Sequence, residues 1–140
     1  MAASKTEKEY AKDGKACGEF GGFASVSGLK YSIDTSIPSS VVTDANGEFV
    51  KIDGARRVKD VQVFKDGKYS DIDPSAEYTI ASHNFLLSDG GDGMTMFVND
   101  EAIESEELFD YEIVINYIVD VCKGKLMDKY SSPEGRITII

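Results

Sequence analysis

Apolar residues recur at two periods along this chain, and the two periods separate strands from helix. Leu29, Tyr31 and Ile33 alternate with Lys30 and Ser32, the pattern of a half-buried strand, so Phe23 to Ile33 is expected to be extended. Val41-Val42-Thr43 and Phe49 to Ile52 are two short extended runs on either side of Asn46-Gly47, a tight-turn dipeptide. Val58 to Phe64 predicts the next strand, with Val61 and Val63 on one face and Gln62 on the other. Lys65-Asp66-Gly67-Lys68 then turns the chain into Tyr69. Tyr78 to Ser82 and Arg136 to Ile140 complete the predicted strands. Only one stretch has a clear helical period: Val114, Ile115, Ile118, Val119 and Cys122 share a face between Asp110 and Lys123, and Gly124 stands where a C-terminal cap belongs.

Between these elements, Asp34 to Ser40, Asp73-Pro74 and Ser88 to Gly93 are turns or loops. Met1 to Ala11 lacks an N-cap and a strong apolar stripe, and reads as the last turns of a helix that begins upstream. Lys12 to Gly22 is polar and glycine-rich and is read as a loop. Strands and helices do not alternate strictly. The expected class is therefore α+β, a mixed or antiparallel sheet with hairpins and flanking helices. The 140 residues are read as a single domain with its core in residues 23–140.

Charge narrows the partners. The net charge of -10 repels phosphate backbones and anionic lipid, so nucleic acid and a membrane surface are poor partners, while a small nucleotide can still be gripped through its base. No stretch is suited to membrane insertion or to a signal peptide. Cys17 and Cys122 lack metal-ligand spacing; they fit one disulfide or two buried thiols equally. His83 is the sole histidine, so this chain supplies no catalytic set and no metal site of its own. A structural role for His83 competes with that of a lone base.

The stretch Ser82 to Gly93 holds the most suggestive chemistry. Phe85 offers a flat ring on which a base can stack, for about 1–3 kcal/mol. Asp92 offers a carboxylate to vicinal hydroxyls, and Gly90, Gly91 and Gly93 permit close backbone approach. Phe85 serves equally well as core. Asp89 and Asp92 are too few ligands for calcium, and no Lys-Ser or Lys-Thr follows the glycines to make a phosphate loop. Phe20 and Phe23 form a second aromatic cluster, able to close the other face of a base or to plug the core. Arg56-Arg57 fits a phosphate contact or a solvated surface pair.

Asn84-Phe85-Leu86 followed by Gly90-Gly91-Asp92-Gly93 resembles the nucleoside-binding signature of the C-terminal domain of 5′-nucleotidases and related metallophosphoesterases. Gly22 to Tyr31 resembles the family's other aromatic segment, and Pro133 to Ile137 its closing strand. Leu87-Ser88-Asp89 is one residue longer than in some relatives. The resemblance implies that Phe23 and Phe85 clasp the base and Asp92 holds the ribose hydroxyls, with Asn84 and Gly91 in the same substrate-binding set. It also implies an N-terminal metallophosphoesterase domain of the parent protein, carrying two divalent metal ions. This chain is then an N-terminally truncated recognition domain, inactive by itself, of a secreted, periplasmic or surface-bound hydrolase. The alternative is a non-catalytic protein-interaction module that keeps the fold and not the ligand.

Overall fold

A computed structural model describes residues 11–12, 15–16, 23–46, 48–98, 100–102 and 108–140, without the side chains of 11, 12, 15, 16, 128 and 129. The chain divides into two compact units, Met1–Val98 with Gly135–Ile140, and Asn99–Glu134. The class is α+β, as the patterning predicts.

In the first unit, β1 (Ala11–Lys12) and β2 (Lys15–Ala16) pair antiparallel. This corrects the loop expected from Lys12 onward and the helix drawn through Ala11. Strands of two residues pair through their backbone amides and carbonyls, which a polar sequence supplies without any apolar period. The rest of the expected N-terminal helix, and Cys17 and Phe20, lie outside the described residues.

The main sheet joins β3 (Leu29–Ile33), β6 (Val58–Lys65), β7 (Lys68–Asp71) and β8 (Ile137–Ile139) in the order β7-β6-β3-β8. β3 runs antiparallel to β6 and parallel to β8, which makes the sheet mixed. Residues 23–28, expected to extend the strand, lie outside it. The β3–β6 register shifts between Lys30 and Ser32, where Asp60 on β6 adopts φ 52°. Such an extra residue bends a strand, and Asp tolerates the left-handed region better than most. At the β6–β7 turn, Asp66 and Gly67 both take positive φ (53° and 80°), the geometry that suits the right-handed twist of a hairpin. A tilted Phe64–Tyr69 ring pair, 5.0 Å between centroids, packs across β6 and β7, and the Lys30 ammonium sits 4.3 Å from the Tyr69 ring.

A separate hairpin joins β4 (Val41–Thr43) to β5 (Phe49–Ile52). Its turn is organised by Asp44, whose carboxylate accepts the amides of Asn46 and Glu48 at 2.8 and 2.9 Å.

Ile33 is the buried apolar residue among those described. Beside it the chain leaves β3 through Asp34, which accepts the Ser36 hydroxyl and amide and the Lys59 ammonium, the last at 2.8 Å. The Lys59 contact and the Ser36 hydroxyl hold the Asp34 carboxyl down at about 2. Arg57 is also buried, and its guanidinium donates to the Thr35 carbonyl at 3.1 Å. Of the pair read as a phosphate contact or a solvated surface feature, Arg57 is thus buried and Arg56 alone is exposed.

One predicted strand is absent. Tyr78 to Ser82 makes no ladder, and Tyr78 and Ile80 are exposed. The Tyr78 hydroxyl instead accepts the Asp73 amide at 2.9 Å, tying off the preceding turn. Alternation states what a strand would bury; without a neighbouring strand to bond it, the segment stays irregular. It leads into a single helical turn, α1 (Asn84–Leu87).

In the second unit, α2 (Asp110–Asn116) continues as a wider turn over Tyr117–Val121, close to the predicted helix. The Glu112 carboxylate accepts the Phe109 amide at 3.0 Å, half of a capping box. At the far end Lys123 and Gly124 take positive φ, and the Gly124 amide reaches the Ile118 carbonyl at 2.8 Å, where the glycine cap is expected. Val114, Ile115 and Val119 are exposed and Ile118 and Cys122 half-buried, so the apolar stripe is mostly open to solvent. The Tyr117 and Tyr130 hydroxyls meet at 2.6 Å. Cys122 carries a free thiol.

Candidate functional site

The residues from His83 to Val98 build one continuous turn structure within the first unit. Asn84 and Phe85 do not follow a strand end, as the sequence suggests; they open α1, with His83 as its extended N-cap residue. The Asn84 carbonyl accepts both the Ser88 and Asp89 amides, at 2.8 and 3.0 Å, which closes this turn and points the chain back on itself. The Asn84 side chain is exposed. His83 is exposed too, and its imidazole does not cap the helix; its carbonyl carries the turn by accepting the Leu86 and Leu87 amides.

The glycines then act in two different ways. Gly90 and Gly93 take positive φ, 68° and 76°, a region costly for most side chains. Gly91 is required for a different reason. A Cβ there would stand 2.5 Å from both Cε1 and the carbonyl oxygen of Phe85, so the ring occupies the space that any larger residue would fill. The sequence suggested close backbone approach to a ligand; the structure shows close approach to the aromatic ring itself.

Asp92 sits between them in a tight turn closed by the Met94 amide on the Gly91 carbonyl, at 3.1 Å. It is exposed and adopts φ 53°, so the turn presents a carboxylate from a left-handed backbone position. Among the described residues, none is hydrogen-bonded to that carboxylate. A second turn, Thr95–Phe97, follows, and its first residue donates from Oγ1 to the Phe49 carbonyl on β5 at 3.1 Å. This anchor joins residues 46 positions apart, and no local pattern in the sequence signals it.

Phe23 lies in the irregular stretch leading to β3 and is 40% exposed, against 49% for Phe85. Neither ring is core, which was the competing reading of each. Their exposure leaves part of each side chain open to solvent. Among the described residues no three His, Cys, Asp or Glu side chains come together as a metal site, and no helix is long and apolar enough to cross a membrane.

The chain has relatives among known proteins. Residues 5–99 match the family described as 5′-nucleotidase, C-terminal domain. That match takes in both aromatic segments and residues before Gly22, and stops short of the closing strand. Apyrase of Tabanus yao is 38% identical over 78 residues, which is 52% of this chain and 12% of apyrase. The crystal structure of the 5′-nucleotidase precursor from Thermus thermophilus superposes with a TM-score of 0.54 at 25% identity, over 81% of this chain and 18% of the other. This chain thus spans less than a fifth of either relative's length.

Proposed function

The chain belongs to the family of 5′-nucleotidase C-terminal domains, and we propose that it recognises the nucleoside of a nucleotide whose phosphate ester is cut elsewhere in the parent protein. The observation that carries this reading is the exposed Phe85 ring seated on Gly91, one residue before an exposed Asp92. A ring lying against the residue that precedes a carboxylate suits a ligand that is flat at one end and carries vicinal hydroxyls at the other. In this reading Phe23 closes the second face of the base and Asn84 borders the site at the start of α1.

The hydrolytic step belongs to an N-terminal metallophosphoesterase domain, where two divalent metal ions would activate water. The parent enzyme works outside the cytoplasm, in the periplasm or at the cell surface, as a hydrolase of nucleotide catabolism. The chain by itself then turns over no phosphate ester with any divalent metal added.

Titration of the chain with adenosine, followed by NMR, tests the reading. Shifts should gather at Phe23, Phe85 and Asp92. Saturable shifts confined to other residues, or none at all, would sink it. The alternative, an interaction module that keeps the fold without the ligand, draws on the exposed apolar residues of α2 and its extension, Ile113, Val114, Ile115 and Val119. It requires that the chain ignore nucleosides altogether.

A further inference from the structure

We infer that Thr95 is a positioning residue that holds Asp92 for ribose recognition and so sets the preference for ribo- over deoxyribonucleosides. The inference rests on the nucleoside-recognition reading above. The turn that presents Asp92 is gripped from two sides. On its N-terminal side, Gly91 lies against the Phe85 ring. On its C-terminal side, the half-buried Thr95 uses both arms of its β-branched side chain. Its hydroxyl donates to the Phe49 carbonyl at 3.1 Å, across 46 residues of sequence. Its methyl packs toward Gly90, where an added Cβ would stand 3.2 Å from Thr95 Cγ2 and 3.1 Å from Val98 Cγ2.

Phe49 is the first residue of β5 and pairs with Thr43 on β4, so the hydroxyl fastens the turn to a hydrogen-bonded hairpin. Asp92 itself has no such fastening among the described residues, and its backbone is in a region that a free loop populates sparsely. A carboxylate that must meet two vicinal hydroxyls at hydrogen-bond distance tolerates little displacement, whereas stacking on Phe85 tolerates much more. Loosening Thr95 therefore affects sugar recognition and spares base stacking.

The test compares adenosine with 2′,3′-dideoxyadenosine, which lacks the hydroxyls, on the full chain and two variants by calorimetric titration. Thr95→Val keeps the shape and removes the donor; Thr95→Ser keeps the donor. Val should weaken adenosine about twofold to tenfold, the weight of one hydrogen bond, and leave the dideoxy ligand unchanged, while Ser restores adenosine binding. Equal weakening of both ligands, no change in either, or failure of Ser to rescue overturns the assignment. Amide exchange separates this from failure of the recognition reading. The Met94 amide, bonded to the Gly91 carbonyl, should exchange faster in Thr95→Val and at the parental rate in Thr95→Ser. If the parent chain binds neither nucleoside, the recognition reading falls and the ribose role with it. Unchanged Met94 exchange in Thr95→Val overturns the clamp itself.

Discussion

Leu29 to Ile33 and Tyr78 to Ser82 both open on an apolar–polar–apolar alternation, yet only the first is a strand. Both lie beside an aspartate that folds a serine two residues on into its carboxylate. Asp34 accepts the Ser36 hydroxyl at 2.6 Å, and Asp73 accepts that of Ser75 at 2.6 Å. The local chemistry is therefore shared. What differs is the surroundings. β3 lies between β6 and β8, its end is bonded through Ile140 to Ile33 at 2.9 Å, and Lys59 of β6 reaches across to Asp34. Among the described residues, the Tyr78 segment is held by its hydroxyl, which accepts the Asp73 amide. The first region is scaffold; the second leads into the turn that carries Phe85 and Asp92. The same alternation serves either purpose, and the presence of neighbours on both sides decides which.

The largest expected effect lies in the scaffold. Ile33 is 5% exposed, and Ile33→Ala should lower stability in urea by about 2–5 kcal/mol, the range for truncating a buried aliphatic side chain. A loss near zero would mean that β3 is no better supported than the Tyr78 stretch. In the second region the ring matters for ligand rather than for fold. Phe85→Ala should weaken adenosine about five- to hundredfold, while its stability cost stays well below the ~3–5 kcal/mol of a buried Phe. A full-sized stability loss would return Phe85 to the core. Gly91→Ala should displace that ring, lowering adenosine affinity in the same titration and costing about 1–3 kcal/mol of stability through overpacking. Retention of parental affinity would show that the ring's seat is immaterial.

The two aspartates sharpen the comparison at smaller scale. Asp34 is held at about 2, first by the Lys59 contact, and Asp73 below its ordinary value by the Ser75 hydroxyl. A carboxyl lowered in the folded state stabilises it fully above the ordinary value and ceases to do so as pH falls through the lowered one. For Asp34 that window runs from 3.8 down to about 2. Lys59→Ala should raise the Asp34 midpoint and leave Asp73 unmoved, read from carboxyl carbon shifts in an NMR pH titration; parallel movement of both would deny the cross-strand contact its special role. The smallest effect belongs to the irregular segment. Ile80 is 57% exposed, and Ile80→Thr should change stability by no more than about 0.5 kcal/mol.

Much of this chain is legible as written, because its signals are local. Period-two runs identified β3, β6 and β8, Asp66-Gly67 the turn between β6 and β7, and Gly124 the helix end, since backbone angles and strand faces depend on near neighbours. The stretch around Phe85, Gly91 and Asp92 stands out for the same reason, its residues being near neighbours, but the helical turn that Phe85 enters and the seat of its ring on Gly91 do not. Tertiary structure alone decided that Tyr78 to Ser82 is not a strand, that Arg57 is buried, and that Thr95 reaches Phe49. Each of these depends on which distant segment arrives to accept a hydrogen bond or cover a side chain, and pairings across many residues leave no period in the sequence to read.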